Sequence, residues 1–162
     1  MTKTFISNTT VNTIPLQILK MDPAVETPKY ESTGSAGFDL RAFIPDGPIT
    51  LKAGTRDKIP TGLKFVILKG FEVQIRPRSG LAFKKGISLT NTPGTIDSDY
   101  RGEIQILIIN HGDEDFVINH GERVAQAVIA PVWQADFVEI TELPSETDNT
   151  RGEGGFGSTG TK

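Results

Sequence analysis

A chain of 162 residues carrying 17 Lys and Arg against 20 Asp and Glu has a net charge of -3, which excludes a uniform basic field for a nucleic-acid backbone and leaves only local anion sites. Its 17 glycines and 10 prolines favour many turns and short strands over long helices, in a length that suits one domain. With no cysteine and two histidines there is no disulfide framework, no thiolate zinc site and no cysteine nucleophile.

Along the chain, the opening MTKTFISNTTVNTIPLQILK is too polar for the apolar segment of a signal peptide, and no run is long enough to span a bilayer. A soluble, cytoplasmic protein without membrane or direct nucleic-acid contact is therefore expected. The first ten or so residues receive no role. Short β-like runs follow at residues 14–19, 63–68, 87–90, 116–118, 124–132 and 137–140, with AGFDLRA (36–42) as a further strand. Phe71, Val73 and Ile75, and then Ile104, Ile106 and Ile108, alternate with the period of a strand that buries one face. Leu107 and Ile109 make the second of these apolar on both faces, which predicts a central strand or a subunit interface. Turn pieces such as PDGP (45–48), KAG (52–54), HGDED (111–115) and NHG (119–121) separate the runs. One short helix is predicted from Ser79 to Lys85, capped by Ser79 and stopped by Gly86. The predicted fold is all-β, a jelly-roll-like barrel over residues 1–144, followed by a tail, 145–162, that is too polar and glycine-rich to order until something binds it.

Several segments carry candidate chemistry. GEGGFG (152–157) has the G-x-G-x-x-G spacing, but no strand precedes it and the chain stops before a following helix could form, so a dinucleotide fingerprint is excluded. Glycine N–H groups, the Arg151 guanidinium and the Phe156 ring would suit a phosphate-contacting lid, and a solubilising tail is the competing reading. RPRSGLAFKKG (76–86) puts Arg78 and Ser79 where a strand hands over to the helix, either an anion site or a simple capped turn with Lys84 and Lys85 in solvent. In NTPGTIDSDYRGEI (91–104), Asp97 and Asp99 would share a face if the stretch is extended and could hold a water or metal; turn acids are the alternative, with Tyr100 as core filler. Asp39 stands among apolar residues and needs a partner or solvent, which Arg41, assigned to the opposite face, is not expected to supply. Gln126 lies in an otherwise apolar strand, as a hydrogen-bonded structural residue, and His111 and His120 fall in exposed turns.

Taken together and in order, AGFDLRA, RPRSGLA, NTPGTIDSDYRGE, GERVAQ and RGEGGFGSTG closely resemble the five motifs of the homotrimeric dUTPase family. The resemblance runs from about residue 13 to residue 160 and implies a β jelly-roll subunit, a threefold trimer with sites shared between subunits, and magnesium-dependent hydrolysis of dUTP to dUMP and pyrophosphate. It assigns Asp97 to the acid that activates the attacking water, and Asp39 to the acid near a magnesium ion held mainly by the triphosphate. Arg78, Ser79 and Gln126 match phosphate-contacting positions, with Gly80 beside them at the substrate. Asn91 matches the amide on the uracil edge, Gly94 and Ile96 the base-reading backbone, and Tyr100 the ring against deoxyribose. In the tail, Arg151 matches the γ-phosphate contact, Phe156 the ring covering the base, and Gly157 and Ser158 further substrate contacts. Two other readings remain at this point: a related dCTP deaminase, whose distinctive motifs are missing, and a nucleotide-dependent protein that binds a regulatory partner, as some phage and viral members do.

Overall fold

Alternation of apolar and polar residues becomes a set of short antiparallel ladders in the computed structural model, which describes residues 13–143. In chain order the strands are β1 (Gln17–Lys20), β2 (Phe38–Arg41), β3 (Ile49–Leu51), β4 (Arg56–Pro60), β5 (Leu63–Val66) and β6 (Phe71–Arg76). The helix α1 (Ser79–Lys85) interrupts them, and β7 (Ile87–Leu89), β8 (Gly94–Ile96), β9 (Gln105–Asn110), β10 (Phe116–Ile118) and β11 (Arg123–Pro131) complete the set. They form a four-stranded sheet ordered β2-β11-β6-β8, a three-stranded sheet ordered β4-β9-β7, and the pairs β1-β5 and β3-β10. Their inward side chains meet in one core that includes Leu40, Ile59, Phe65, Val73, Ile106 and Ile118. Each of these is at most 1% exposed, and burying an aliphatic or aromatic side chain of this size contributes about 1.5–3 kcal/mol against conformational entropy.

Two polar side chains are buried among the described residues, and both are satisfied: the Thr61 hydroxyl donates to the Ile104 carbonyl at 2.6 Å. Asn110 is 0% exposed, yet its Nδ2 donates to the Leu51 and Glu114 carbonyls at 3.1 and 2.8 Å, and its Oδ1 accepts from the Gly112 N–H at 2.9 Å. It thus ties the end of β9 to β3 and to the following turn, where an apolar residue would leave two carbonyls and an N–H unpaired.

Most expected strands are present, and the departures have physical causes. β9 lies between β4 and β7, with Ile106 and Ile108 buried and Leu107 and Ile109 half-buried, so the central-strand reading holds. β4 was not anticipated because Arg56, Asp57 and Lys58 give no apolar signal; it is an edge strand whose charged side chains are exposed. Residues 137–140 were expected to form a strand but pair with no strand among the described residues, and Phe137 is 92% exposed. The helix spans the expected residues, but Arg78, not Ser79, holds the N-cap position, in extended conformation and without a side-chain cap bond. Gly86 ends it as expected, with φ 66°, a left-handed conformation that favours glycine.

Candidate active site

Asp39, Gln126 and Arg76 lie side by side across three neighbouring strands, because Gln126 of β11 is in register with Asp39 of β2 on one side and Arg76 of β6 on the other. Phe38 and Leu40 turn inward, so Asp39 faces outward, with its side chain only 16% exposed. The partner that a carboxylate in this position requires is a pair of arginines. Arg78 Nε lies 2.9 Å from Oδ1, and Arg123 Nη1 lies 3.1 Å from Oδ2. Arg78 Nη1 also donates to the Arg123 carbonyl at 2.9 Å, and Glu31 stands 3.8 Å from Arg123. The three side chains therefore brace one another at the junction of β2, β11 and the start of α1.

Arg123 was not singled out from the sequence, although GERVAQ places it on the strand that pairs with Asp39. Arg41 occupies the same face as Asp39, as a two-residue spacing requires, which corrects its assignment to the opposite face. It is nonetheless engaged elsewhere, with Glu26 at 3.3 Å and the Gly121 carbonyl at 2.7 Å. Gln126 is half-buried, and its Nε2 donates to the Pro77 carbonyl at 2.8 Å. This bond ties β11 to the loop entering α1, and Oε1 lies against Gly37, where a Cβ would stand 2.9 Å from it. Ser79 and Gly80 open the helix and are exposed.

The third segment builds a separate group. β8 pairs with β6 through Val73–Ile96 and Ile75–Gly94, and a cavity of about 270 Å³ beside it is lined by Asn91, Gly94, Ile96, Asp97 and Tyr100, with Ile75 as floor. A Cβ on Gly94 would stand 3.0 Å from Asn91 Nδ2, so the absence of a side chain there lets the amide lie close against the strand. After β8 the chain turns: the Tyr100 N–H bonds the Asp97 carbonyl at 3.1 Å. Asp97 and Asp99 are therefore turn acids, not neighbours on one face of an extended strand. Tyr100 is 44% exposed, which corrects its expected place in the core, and its hydroxyl donates to the Glu103 carbonyl at 3.0 Å. The ring passes over Gly102, where a Cβ would lie 2.9 Å from Cε2 and closer still to Cζ and the hydroxyl oxygen.

These two groups stand apart in a single chain. Continuing the β6–β8 register by one residue sets Asp97 level with Glu72, whereas Arg78 lies beyond the other end of β6, about 20 Å away at 3.3 Å per residue. Val132, Trp133, Phe137, Val138 and Leu143 all remain exposed, Trp133 at 94% and Phe137 at 92%. Arg151, Phe156, Gly157 and Ser158 lie outside the described residues, as does the expected tail.

Among the described residues no cluster of three or more His, Asp or Glu side chains could cage a metal ion. Both Asp39 oxygens are already held by guanidinium groups, which leaves this carboxylate better suited to accept from the water shell of a cation than to ligate one directly. His111 and His120 are exposed in turns as expected; His120 Nδ1 accepts the Ile44 N–H at 3.1 Å.

Comparison with known proteins places this arrangement in a family. The dUTPase family model matches residues 24–160. The deoxyuridine 5'-triphosphate nucleotidohydrolase of Roseobacter denitrificans is 58% identical over 139 residues, covering 86% of this chain and 90% of that protein. Among solved structures, the dUTPase of Staphylococcus bacteriophage 80alpha with dUPNHPP is similar with a TM-score of 0.76 at 26% identity, over 91% of this chain and 99% of its own. A mutant dUTPase from phage phi11 of S. aureus, described for its coordination of a structural Mg(II) ion, shares the fold with a TM-score of 0.71 at 22% identity, over 80% of this chain and 98% of its own. With a jelly-roll-like β fold and a family match that spans all but the first 23 and last two residues, this chain belongs to the dUTPase family.

Proposed function

We propose that this protein hydrolyses dUTP to dUMP and pyrophosphate in the cytoplasm, as a homotrimer in which each site is completed by more than one copy of the chain. The observation that carries the shared site is the separation of Asp97 from the Asp39, Arg78, Ser79 and Gln126 group. Each group is locally ordered by its own hydrogen bonds, and neither holds both a phosphate cradle and a water-activating acid. A second copy that presents its Asp97 turn to the first copy's arginines supplies what the single chain lacks, and the exposed apolar side chains from Val132 to Leu143 favour burial against such a copy.

In the assembled site, Asn91 and the backbone at Gly94 and Ile96 hold the uracil edge, and Tyr100 lies against the deoxyribose where a ribose hydroxyl would collide. Arg78, the helix-opening N–H groups at Ser79 and Gly80, the Ser79 hydroxyl and Gln126 hold the phosphate oxygens. Asp97 accepts a proton from a water placed in line with the α-phosphorus. The new bond from that water's oxygen to the α-phosphorus forms as the bond to the α,β-bridging oxygen breaks, and pyrophosphate departs with the bridging electrons. Asp39, together with the triphosphate, would hold a magnesium ion, which would supply charge neutralisation at the phosphates. Residues 145–162 act as a lid in which Arg151 meets the γ-phosphate, Phe156 covers the base, and Gly157 and Ser158 add contacts, excluding bulk water from the site.

No observation favours deamination of dCTP, and the family match argues against it. Among the described residues no helix is long and apolar enough to cross a membrane. The test of the activity is pyrophosphate release from a panel of dUTP, dCTP, dTTP and UTP with magnesium. Strong preference for dUTP is expected, because groups matched to uracil's donors and acceptors are left unpaired by cytosine. Equal turnover of dUTP and dCTP would sink the assignment.

A further inference from the structure

One cation on the same face as the phosphate cradle has no role in the account above. Arg76 ends β6 directly opposite Gln126, and Gln126 is directly opposite Asp39. Side chains of directly opposed residues share a face, so Arg76 stands one strand spacing from Gln126 and two, about 10 Å, from Asp39. Arg78 and Arg123 both pair with Asp39, and Arg123 also stands 3.8 Å from Glu31. Arg76, in contrast, meets no carboxylate within 4.0 Å among the described residues and is exposed.

Its guanidinium is held all the same. Nε and Nη2 both donate to Gln74 Oε1, at 3.1 and 2.6 Å, and the Gln74 amide is oriented by donating Nε2 to Glu72 Oε1 at 2.7 Å. Glu72, Gln74 and Arg76 alternate along the outer face of β6, so this relay fixes the guanidinium through a neutral amide and leaves its charge uncancelled at close range. An ordered cation next to the triphosphate cradle stabilises bound phosphate without paying the full rotamer cost of a free arginine.

We infer that Arg76 is a further binding group for the phosphate chain of the substrate and for the pyrophosphate product, with Gln74 as the residue that positions it. The inference rests on the proposed nucleotide hydrolysis, but its own readout is anion binding. Arg76 grips phosphate in ground state and transition state alike, so its removal raises KM and leaves kcat near its starting value.

The experiment compares Arg76→Ala, Arg76→Lys and Gln74→Ala with the unsubstituted protein, using dUTP kinetics and inhibition by inorganic pyrophosphate at several salt concentrations. Arg76→Ala should raise KM and the pyrophosphate inhibition constant together by about tenfold, the weight of one charge-assisted hydrogen bond, and flatten the salt dependence of kcat/KM. Arg76→Lys should recover most of this by restoring the charge, and Gln74→Ala should fall between. Lys52→Gln removes an equal charge from an exposed turn and should change neither constant. Unchanged KM and pyrophosphate inhibition in Arg76→Ala would overturn the inference, as would a lysine variant as impaired as the alanine one, since that places the effect in the hydrogen bonds to Gln74. Pyrophosphate binding by calorimetry runs beside the kinetics: if the unsubstituted protein does not hydrolyse dUTP, the functional proposal fails, while weaker pyrophosphate binding in Arg76→Ala still supports the anion site.

Discussion

Gly102→Ala probes the sugar-reading role proposed for Tyr100 without touching the tyrosine itself. The added Cβ would stand 2.5 Å from Tyr100 Cζ and 2.9 Å from Cε2, closer than packed carbons tolerate, so the ring must leave its place. Because that ring is 44% exposed, it can swing into solvent instead of straining the core. Its hydroxyl then loses the 3.0 Å bond to the Glu103 carbonyl, a loss of about 1 kcal/mol because that carbonyl can turn to water. On a domain of this size the cost corresponds to a Tm lower by about 2–4 °C, a folded protein by any measure. Discrimination should suffer far more than folding: with the ring displaced, the ratio of kcat/KM for dUTP over UTP should fall by about tenfold or more, as it should in Tyr100→Ala. The assay is steady-state pyrophosphate release with each nucleotide, beside a thermal melt. A ratio that stays unchanged while the melt confirms the packing change would remove Tyr100 from sugar recognition.

Asp97→Asn keeps the shape of the turn and removes the proton acceptor, so turnover should be nearly abolished while binding of a non-hydrolysable dUTP analogue stays within a few-fold; turnover near the original level would show that Asp97 is not the base. Asp39→Asn should leave Arg78 and Arg123 facing one another without a shared anion, lowering stability by about 2 kcal/mol once solvent screening at the half-exposed Arg123 is allowed for, and raising KM for dUTP; an unchanged melt would mean that the cluster braces nothing. A chain ending at Thr150 should keep its native assembly by size-exclusion mass but lose most turnover, with Phe156→Ala less impaired because Arg151 remains; full activity of the truncated chain would refute the lid.

The strands that bury one face were legible because burial imposes a period of two, as at Phe71, Val73 and Ile75. β4 was not, because an edge strand whose outward residues are Arg56, Asp57 and Lys58 owes its place to the β9 ladder and not to its own side chains. The run at residues 137–140 has strand-like composition but no partner strand among the described residues, so composition alone overstated it. Within the candidate site, the requirement that Asp39 find a partner was readable from the sequence, whereas the partners were not, since Arg78 and Arg123 lie 39 and 84 positions further along and meet Asp39 only through the β2–β11–β6 register. The helix limits were legible from Gly86, but the cap was not, because Arg78 takes the cap position while its side chain is turned back to Asp39. Asp97 and Asp99 looked alike in sequence, and the turn at Ser98 sets them in different surroundings.

The central claim, a dUTP-hydrolysing site built from more than one copy of the chain, is tested most directly by mixing two defects. Ser79→Ala damages the phosphate cradle and Asp97→Asn removes the base, so each variant alone should be nearly inactive. Co-expressed in equal amounts and purified together as one unsorted trimer population, they should recover about a quarter of the original turnover per site, because about three quarters of randomly assembled trimers contain both chains and each of these has one intact site in three. Mixed trimers, verified by mass, that stay as inactive as either parent would contradict the shared site and return both groups to a single chain.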